Sequence, residues 1–385
     1  MGRLTVAGVA LIAVTYGLAR FALGLFVPEF RATFSLSATE VGWIMAASFT
    51  GYLVALTIAG VAVSRFGARA VALASGFVAA TGMMGVAGAP GPVALGAAAT
   101  IGGGSTGLVS PSLATAVEEH LAGPERATAQ TVINAGTSVG LMIAAPTALL
   151  AAANWRTAKI VFGTLALLAT LAAIRLVPTD QDTRRATAVG PGSAARLRWS
   201  LRATAVLLGL SSAAFWGFGR ELLEVVSGFD PTASRSAWIA VGVGGLAGGA
   251  AGTLVDRRSL RTALLTSWTL FAAAHAWLAL GFTLTPAALV AAAGFGAGYM
   301  ALTGLLIVWS VRERPDRPAG AVATAFLLLA AGQIVGSPMA GAIADTFGLP
   351  AAFAVASGLA TAGVAIRPPA AGSRALRRSH VTSWC

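Results

Sequence analysis

Twelve apolar runs, each long enough to cross a bilayer as a helix, account for most of the chain. They fall at about 4–27, 41–63, 70–89, 93–116, 129–151, 157–176, 202–226, 237–255, 261–281, 286–309, 319–341 and 349–366. A spanning helix needs roughly 20 predominantly apolar residues. The runs are continuous, whereas the strands of a membrane barrel are segments of about ten residues alternating in polarity, so a barrel is excluded. Only 10% of the 385 residues are charged and 56% are hydrophobic, with a mean hydropathy of +0.79. Soluble domains carry about 25% charged residues, and no stretch here is polar enough to build one. The expected fold class is therefore an all-α polytopic membrane protein of twelve transmembrane helices. The apolar run following Met1-Gly2-Arg3 leads into further runs and reads as the first membrane helix, not as a cleaved signal. The only cysteine, Cys385, excludes an intrachain disulfide.

The formal net charge of +12 would suggest a nucleic-acid partner in a soluble chain, but its distribution points elsewhere. With the N-terminus placed in the cytoplasm, 20 of the 26 basic residues fall on the cytoplasmic side. Arg31, Arg156, Lys159 and Arg235 fall on the outer side, and Arg20 and Arg220 lie within spans. That asymmetry is the positive-inside signature, and it predicts a multi-pass cell-membrane protein with both termini cytoplasmic. The arginines then serve as anchors near anionic headgroups, and nucleic acid is excluded as a partner.

The longest connection, about 177–201, contains Pro178 and Pro191 and separates spans six and seven. It divides the chain into 1–176, a cytoplasmic linker 177–201, 202–366 and a cytoplasmic tail 367–385. The two six-helix parts repeat one another. Tyr16-Gly17-Leu18-Ala19-Arg20 aligns with Trp216-Gly217-Phe218-Gly219-Arg220, and Trp43-Ile44 with Trp238-Ile239. Gly60 to Arg65 aligns with Gly252 to Arg257, and Ala135-Gly136 with Val139-Gly140 aligns with Ala331-Gly332 with Val335-Gly336. Parallel six-helix repeats predict a pseudo-twofold axis along the membrane normal, with a central site between the halves.

The loop after the second span, with Gly60, Arg65, Gly67 and Arg69, resembles the Gly-x-x-x-Asp-Arg/Lys-x-Gly-x-Arg/Lys loop of the major facilitator superfamily, with Ser64 in the acidic position. Its second-half copy keeps Gly252, Asp256, Arg257 and Arg261, with Ser259 in place of the central glycine. Gly123-Pro124-Glu125-Arg126-Ala127, Asn154-Trp155-Arg156, and the Gly341, Asp345, Gly348 and Phe353 set extend the resemblance over nearly the whole chain. The Gly17-x-Ala19-Arg20-Phe21 stretch with Pro28 is similar to a bacterial subgroup of general transporters. The resemblance implies a secondary transporter of two pseudo-twofold-related six-helix bundles. It also implies a cytoplasmic gate at Gly60, Arg65, Gly67, Arg69, Gly252, Asp256 and Arg257, built on charge-assisted bonds that break as the halves rock. Topology anchoring is the alternative for these arginines, and the preferred one for Arg69. The exporter signature of the fifth span is degenerate here: Gly136, Gly140 and Pro146 are present, but Ala144 and Ala145 replace its central Gly-Pro.

Ionisable groups inside spans are costly and by default mark function. Arg20 and Arg220 are candidates to attract an anionic or strongly polar solute. Glu221, Glu224 and His275 are candidates to carry a proton. Tyr16, Tyr52, Asn134, Trp216, Tyr299 and Gln333 complete the candidate site, since aromatic rings with sparse amides suit a mostly apolar ligand. The competing reading pairs Arg220 with Glu224 at i,i+4 near the outer headgroups, lets Arg20 snorkel outward, and has His275 bond a neighbouring carbonyl. Gly102 to Gly107 lacks the lysine and preceding strand of a phosphate loop. No metal cluster or catalytic set is present, so neither a cofactor nor enzymatic activity is expected. The expected function is alternating-access transport of a small organic solute, coupled to protons, by a chain functional as a monomer in the lipid bilayer. A metabolite:proton exporter and a non-transporting membrane sensor or assembly component are the alternatives.

Overall fold

The computed structural model describes residues 2–151, 154–179, 197–281 and 285–368. Most of the linker expected at 177–201, and of the tail at 367–385 with Cys385, lies outside them. The described chain is helical throughout. In order, the helices are α1 (Gly2–Phe34), α2 (Ala38–Phe66), α3 (Ala68–Gly88), α4 (Pro92–His120), α5 (Pro124–Leu150) and α6 (Trp155–Leu176). After the linker come α7 (Trp199–Val225), α8 (Pro231–Arg257), α9 (Leu260–Ala279), α10 (Thr285–Glu313), α11 (Pro318–Phe347) and α12 (Leu349–Val364).

Ten of these are long and apolar enough to cross a membrane. The other two are α9 and α12. The 16 residues of α12 rise only about 24 Å at 1.5 Å per residue, short of a hydrocarbon core of about 30 Å. The protein is thus a multi-pass, all-α membrane protein.

Local chemistry sets the helix ends. Ser37 accepts from the Glu40 N–H while Glu40 accepts from the Ser37 N–H, a reciprocal cap that starts α2. Asn154, Asp230 and Ser259 cap α6, α8 and α9 by accepting first-turn N–H groups, without the reciprocal bond. Pro111, Pro146 and Pro338 sit inside α4, α5 and α11, which run through them. Neighbouring helices and side chains re-satisfy the freed backbone groups in a membrane protein.

Short connections make successive helices antiparallel, so the bundle has two ends, named here the Gly2 face and the Ser35 face. Helices α1–α6 pack chiefly on one another, as α2 on α4 and α3 on α4 and α6. Helices α7–α12 do likewise, as α10 on α8 and α11 on α7. The two sets meet along α2 with α11, α5 with α8 and α1 with α7.

The apolar run 4–27 suggests a plain helix, but α1 is longer and irregular. Its backbone is α-helical over Gly2–Ile12, widens to π turns over Ala13–Arg20, tightens to 3-10 turns over Phe21–Phe26 and returns to α-helix at Val27. Pro28 explains the tight stretch: it has no N–H to give the Gly24 carbonyl, and the Val27 N–H takes that carbonyl instead. Non-α turns of this kind recur at functional sites.

Gly67, between α2 and α3, has φ +86° and ψ 157°, a region essentially closed to other residues and costing about 1–3 kcal/mol when forced. Gly67→Ala should therefore lower the unfolding temperature of the purified protein in a thermal-shift assay. Gly252→Ala, where a new methyl meets nothing within 4 Å, should leave that temperature unchanged.

Candidate functional site

The π turns of α1 end on Arg20, which the bundle buries to 2% exposure. Its Nη2 donates to Gln333 Oε1 of α11 at 2.7 Å, across the two helix sets. Its guanidinium carbon lies 4.0 Å from the Tyr52 ring centroid, 5.0 Å from Phe21 and Phe49, and 5.7 Å from Tyr16. Gln333 Nε2 donates onward to Tyr299 Oη at 3.3 Å and Ser212 Oγ at 3.4 Å. Phe21 stacks on Trp216 of α7 at 4.1 Å and meets Tyr299 edge-on at 5.9 Å. Tyr16 Oη and Ser110 Oγ are 2.9 Å apart.

Six of the residues singled out in the sequence, Tyr16, Arg20, Tyr52, Trp216, Tyr299 and Gln333, are thus brought together. Asn134 is not among them; it is exposed on α5. Phe21, which the Gly17-x-Ala19-Arg20-Phe21 stretch contained without a role, belongs to the cluster, as do Phe49 and Ser212, which carry no sequence signal that separates them from packing residues. Cation–ring contacts contribute about 2 kcal/mol or more when desolvated, and four rings partly replace the water that Arg20 gives up. No acidic side chain among the described residues pairs with Arg20, and its Nε has no partner.

Arg220, the repeat-mate of Arg20, is in different company. It donates through Nη1 to the Leu25 carbonyl and to Glu29 Oε2, both at 2.5 Å, and through Nε to Glu224 at 2.9 Å. Glu29 also accepts from Arg235 at 2.8 Å, and Arg31 pairs with Glu221. Nearby, Asp345 of α11 accepts the Ala38 and Thr39 N–H groups at the start of α2, at 2.9 and 2.8 Å. These bonds tie the two helix sets together at the Ser35 face. Glu221 and Glu224 are held there by arginines, and Glu224 also accepts from Ser234 at 2.5 Å. The i,i+4 pairing of Arg220 with Glu224 is present, within a larger array that includes Glu29, Arg31, Arg235 and Asp345. His275 is buried in α9, with Nδ1 2.9 Å from the Phe271 carbonyl, among Phe271, Phe295 and Phe353.

At the Gly2 face the loop-motif residues make contacts within their own helix sets. The Arg65 guanidinium stacks on Phe66 at 5.5 Å, and Arg69 donates to the Ile174 carbonyl of α6 at 2.6 Å. Ser64 bonds the Val61 carbonyl one turn back. Asp256 and Arg257 are exposed and form no ion pair among the described residues. Gly60 lies in the last turns of α2. Among the described residues, the ion pairs between the two sets lie at the Ser35 face.

Lys159, counted with the outer-side charges, lies one turn inside α6 near the Ser35 face and is fully buried.

A polytopic helical bundle with a buried polar cluster where two helix sets meet is an arrangement that secondary-active membrane transporters use. The chain belongs to the Major Facilitator Superfamily, whose model matches residues 9–326. Among solved structures, the nucleoside transporter NupG has a TM-score of 0.75 at 12% identity, over 94% of this chain and 98% of that one. Its D323A mutant has the same TM-score and coverage at 14% identity. A bacterial homologue of the human lysosomal transporter Spinster, in an inward-facing and occupied conformation, has a TM-score of 0.69 at 16% identity, over 93% of each chain. No curated protein sequence matches. The family is one of transporters, not enzymes, and among the described residues no metal-holding group of His, Cys, Asp and Glu occurs.

Proposed function

We propose that this chain moves a small organic solute bearing a carboxylate or similar oxyanion, by alternating access and coupled to protons. In this reading α1–α6 and α7–α12 are two pseudo-twofold-related bundles of a twelve-helix transporter acting as a monomer. The linker 177–201 and both termini are cytoplasmic, so the Gly2 face is the cytoplasmic one. The conformation is then closed outward, with the Glu29–Arg220 array as the outer latch. The residues 60–69 and 252–257 form the opposing gate once the cytoplasmic side closes.

The observation that carries the solute class is Arg20, a buried guanidinium with no carboxylate partner among the described residues, set where the bundles meet. A guanidinium offers a fixed fork of donors that matches an oxyanion. Gln333, which holds one arm of that fork from the other bundle, is the natural group for a solute oxygen to displace. The surrounding rings would take the apolar body of the solute. Purified protein in liposomes, offered labelled mono- and dicarboxylates beside neutral sugars and nucleosides, tests this with and without a pH gradient. Uptake is expected for carboxylates and should rise with the gradient. Uptake of the neutral solutes alone would overturn the proposal.

A further inference from the structure

Resting on the proton-coupled reading, we propose that Lys159 is the site at which a proton binds and leaves during the transport cycle, and that it acts through the tight turn of α1.

Lys159 is the only lysine in a chain whose other 25 basic residues are arginine. It is fully buried in α6. Its Nζ has one polar partner, the Ala22 carbonyl at 3.4 Å, and otherwise faces the Phe26 and Phe162 rings at 4.7 and 5.4 Å. The other buried basic groups among the described residues are Arg20, Arg220 and Arg235, which do not release their protons in proteins, and His275, which lies in α9 of the second helix set against the Phe271 carbonyl, away from the tight turn of α1. Lysine exchanges its proton readily when desolvated.

No other titratable group is placed to take this role by pairing with Lys159. On α6, Arg156 is turned to the Ala87 and Ala89 carbonyls. On α1, Tyr16 is engaged by Ser110, Arg20 by Gln333, Glu29 by Arg220 and Arg235, and Arg31 by Glu221. Helix α3 carries only Arg69, and α5 only Glu125 and Arg126. All three lie in first turns at the Gly2 face, whereas Lys159 is near the Ser35 end of α6.

The acceptor supplies the coupling. In the tight turn of α1 three backbone carbonyls are held by side chains: Phe21 by Trp238 Nε1 at 3.4 Å, Ala22 by Lys159, and Leu25 by Arg220. Trp238 and Arg220 come from the second helix set and Lys159 from the first. The same turn leaves no room for a side chain at Gly24, which abuts the Trp216 carbonyl of α7. A proton added to or removed from the Lys159 amine changes the charge on one of three holds on the segment that joins the sets, two residues beyond Arg20. The step balances simply: the amine gains one proton from one side of the membrane and returns it to the other.

The test needs no solute. Spin labels at Val93→Cys and Leu280→Cys, exposed positions near the Ser35 ends of α4 and α9, with Cys385→Ser, report the distance between the sets in liposomes. In the otherwise unaltered protein the distance distribution should change between mildly acidic and alkaline pH. Lys159→Met and Lys159→Arg should abolish that change, each resembling an opposite end of the pH range. A pH response that persists in both variants overturns the assignment of Lys159 while leaving proton coupling intact. A pH-independent distance in the parent overturns both. If Lys159→Met fails to fold, the sole lysine of the parent can be ¹³C-dimethylated and followed by NMR, where absence of a titration step overturns the proposal.

Discussion

Arg20→Ala is expected to abolish measurable solute binding while the protein still inserts and purifies as a single species. Removing one partner of a desolvated, charge-assisted contact typically costs about 2–5 kcal/mol, or roughly 30-fold to several-thousand-fold in affinity. Arg20→Lys should fall between wild type and Arg20→Ala, because an ammonium keeps the charge but not the planar fork. The surroundings make this separable from a folding defect. Arg20 is held by rings and one amide, so its removal leaves no buried carboxylate without a counter-charge. Gln333 retains Tyr299 and Ser212 as partners. Binding titrations on monodisperse variants, with whichever carboxylate the liposome panel identifies, decide the matter. Near-wild-type affinity in Arg20→Ala would refute the role. Early melting of that variant with normal binding by the surviving fraction would mark Arg20 as structural.

Much of the fold was legible because a bilayer leaves a chain few options. Apolar length and loop arginines are one-dimensional signals, but the helix starts were less so: α8 begins at Pro231, behind the Asp230 cap, six residues before its apolar run at 237. The aromatic and amide side chains around Arg20 were legible because such groups are rare within these spans. What the sequence hid was which polar groups meet. The repeat equates Arg20 with Arg220, yet α1 continues for 14 residues beyond Arg20, whereas α7 ends five residues beyond Arg220. Arg220 is thereby placed against the later, Glu29-bearing part of α1. The burial of Lys159 was hidden for a related reason. A charge near the end of an apolar run carries no sign of its packing, and only the Phe26 and Phe162 rings show that it is enclosed. The irregular turns of α1 were hidden too, since Pro28 lies beyond the end of the apolar run and acts on the turn before it.

Glu29→Gln is expected to unlatch the Ser35 face. Glu29 is the one carboxylate shared by Arg220 and Arg235, whose side chains are 1% and 6% exposed. Neutralising it leaves Arg220 with Glu224 alone and leaves Arg235 without an acidic partner among the described residues. Breaking a buried ion pair in this one-sided way costs about 3–5 kcal/mol, because the remaining charges have lost their water and their counter-charge together. The penalty applies only while the face is closed; once the helix sets part, water reaches both guanidiniums. The closed-to-open ratio should therefore fall by a factor on the order of a hundred or more. The distance between labels at Val93→Cys and Leu280→Cys is expected to move toward its longer population. An exposed pair provides the contrast. Arg314 bonds Asp316 at 2.8 Å and holds its carboxyl down at about 2, but Asp316 is exposed and Arg314 partly so, and pairs at the surface add little. Asp316→Asn should leave the distance distribution unchanged. If Glu29→Gln does the same, the pairs of Glu29 with Arg220 and Arg235 are not the latch, and closure there must rest on Asp345 and the apolar contacts of α1 with α7.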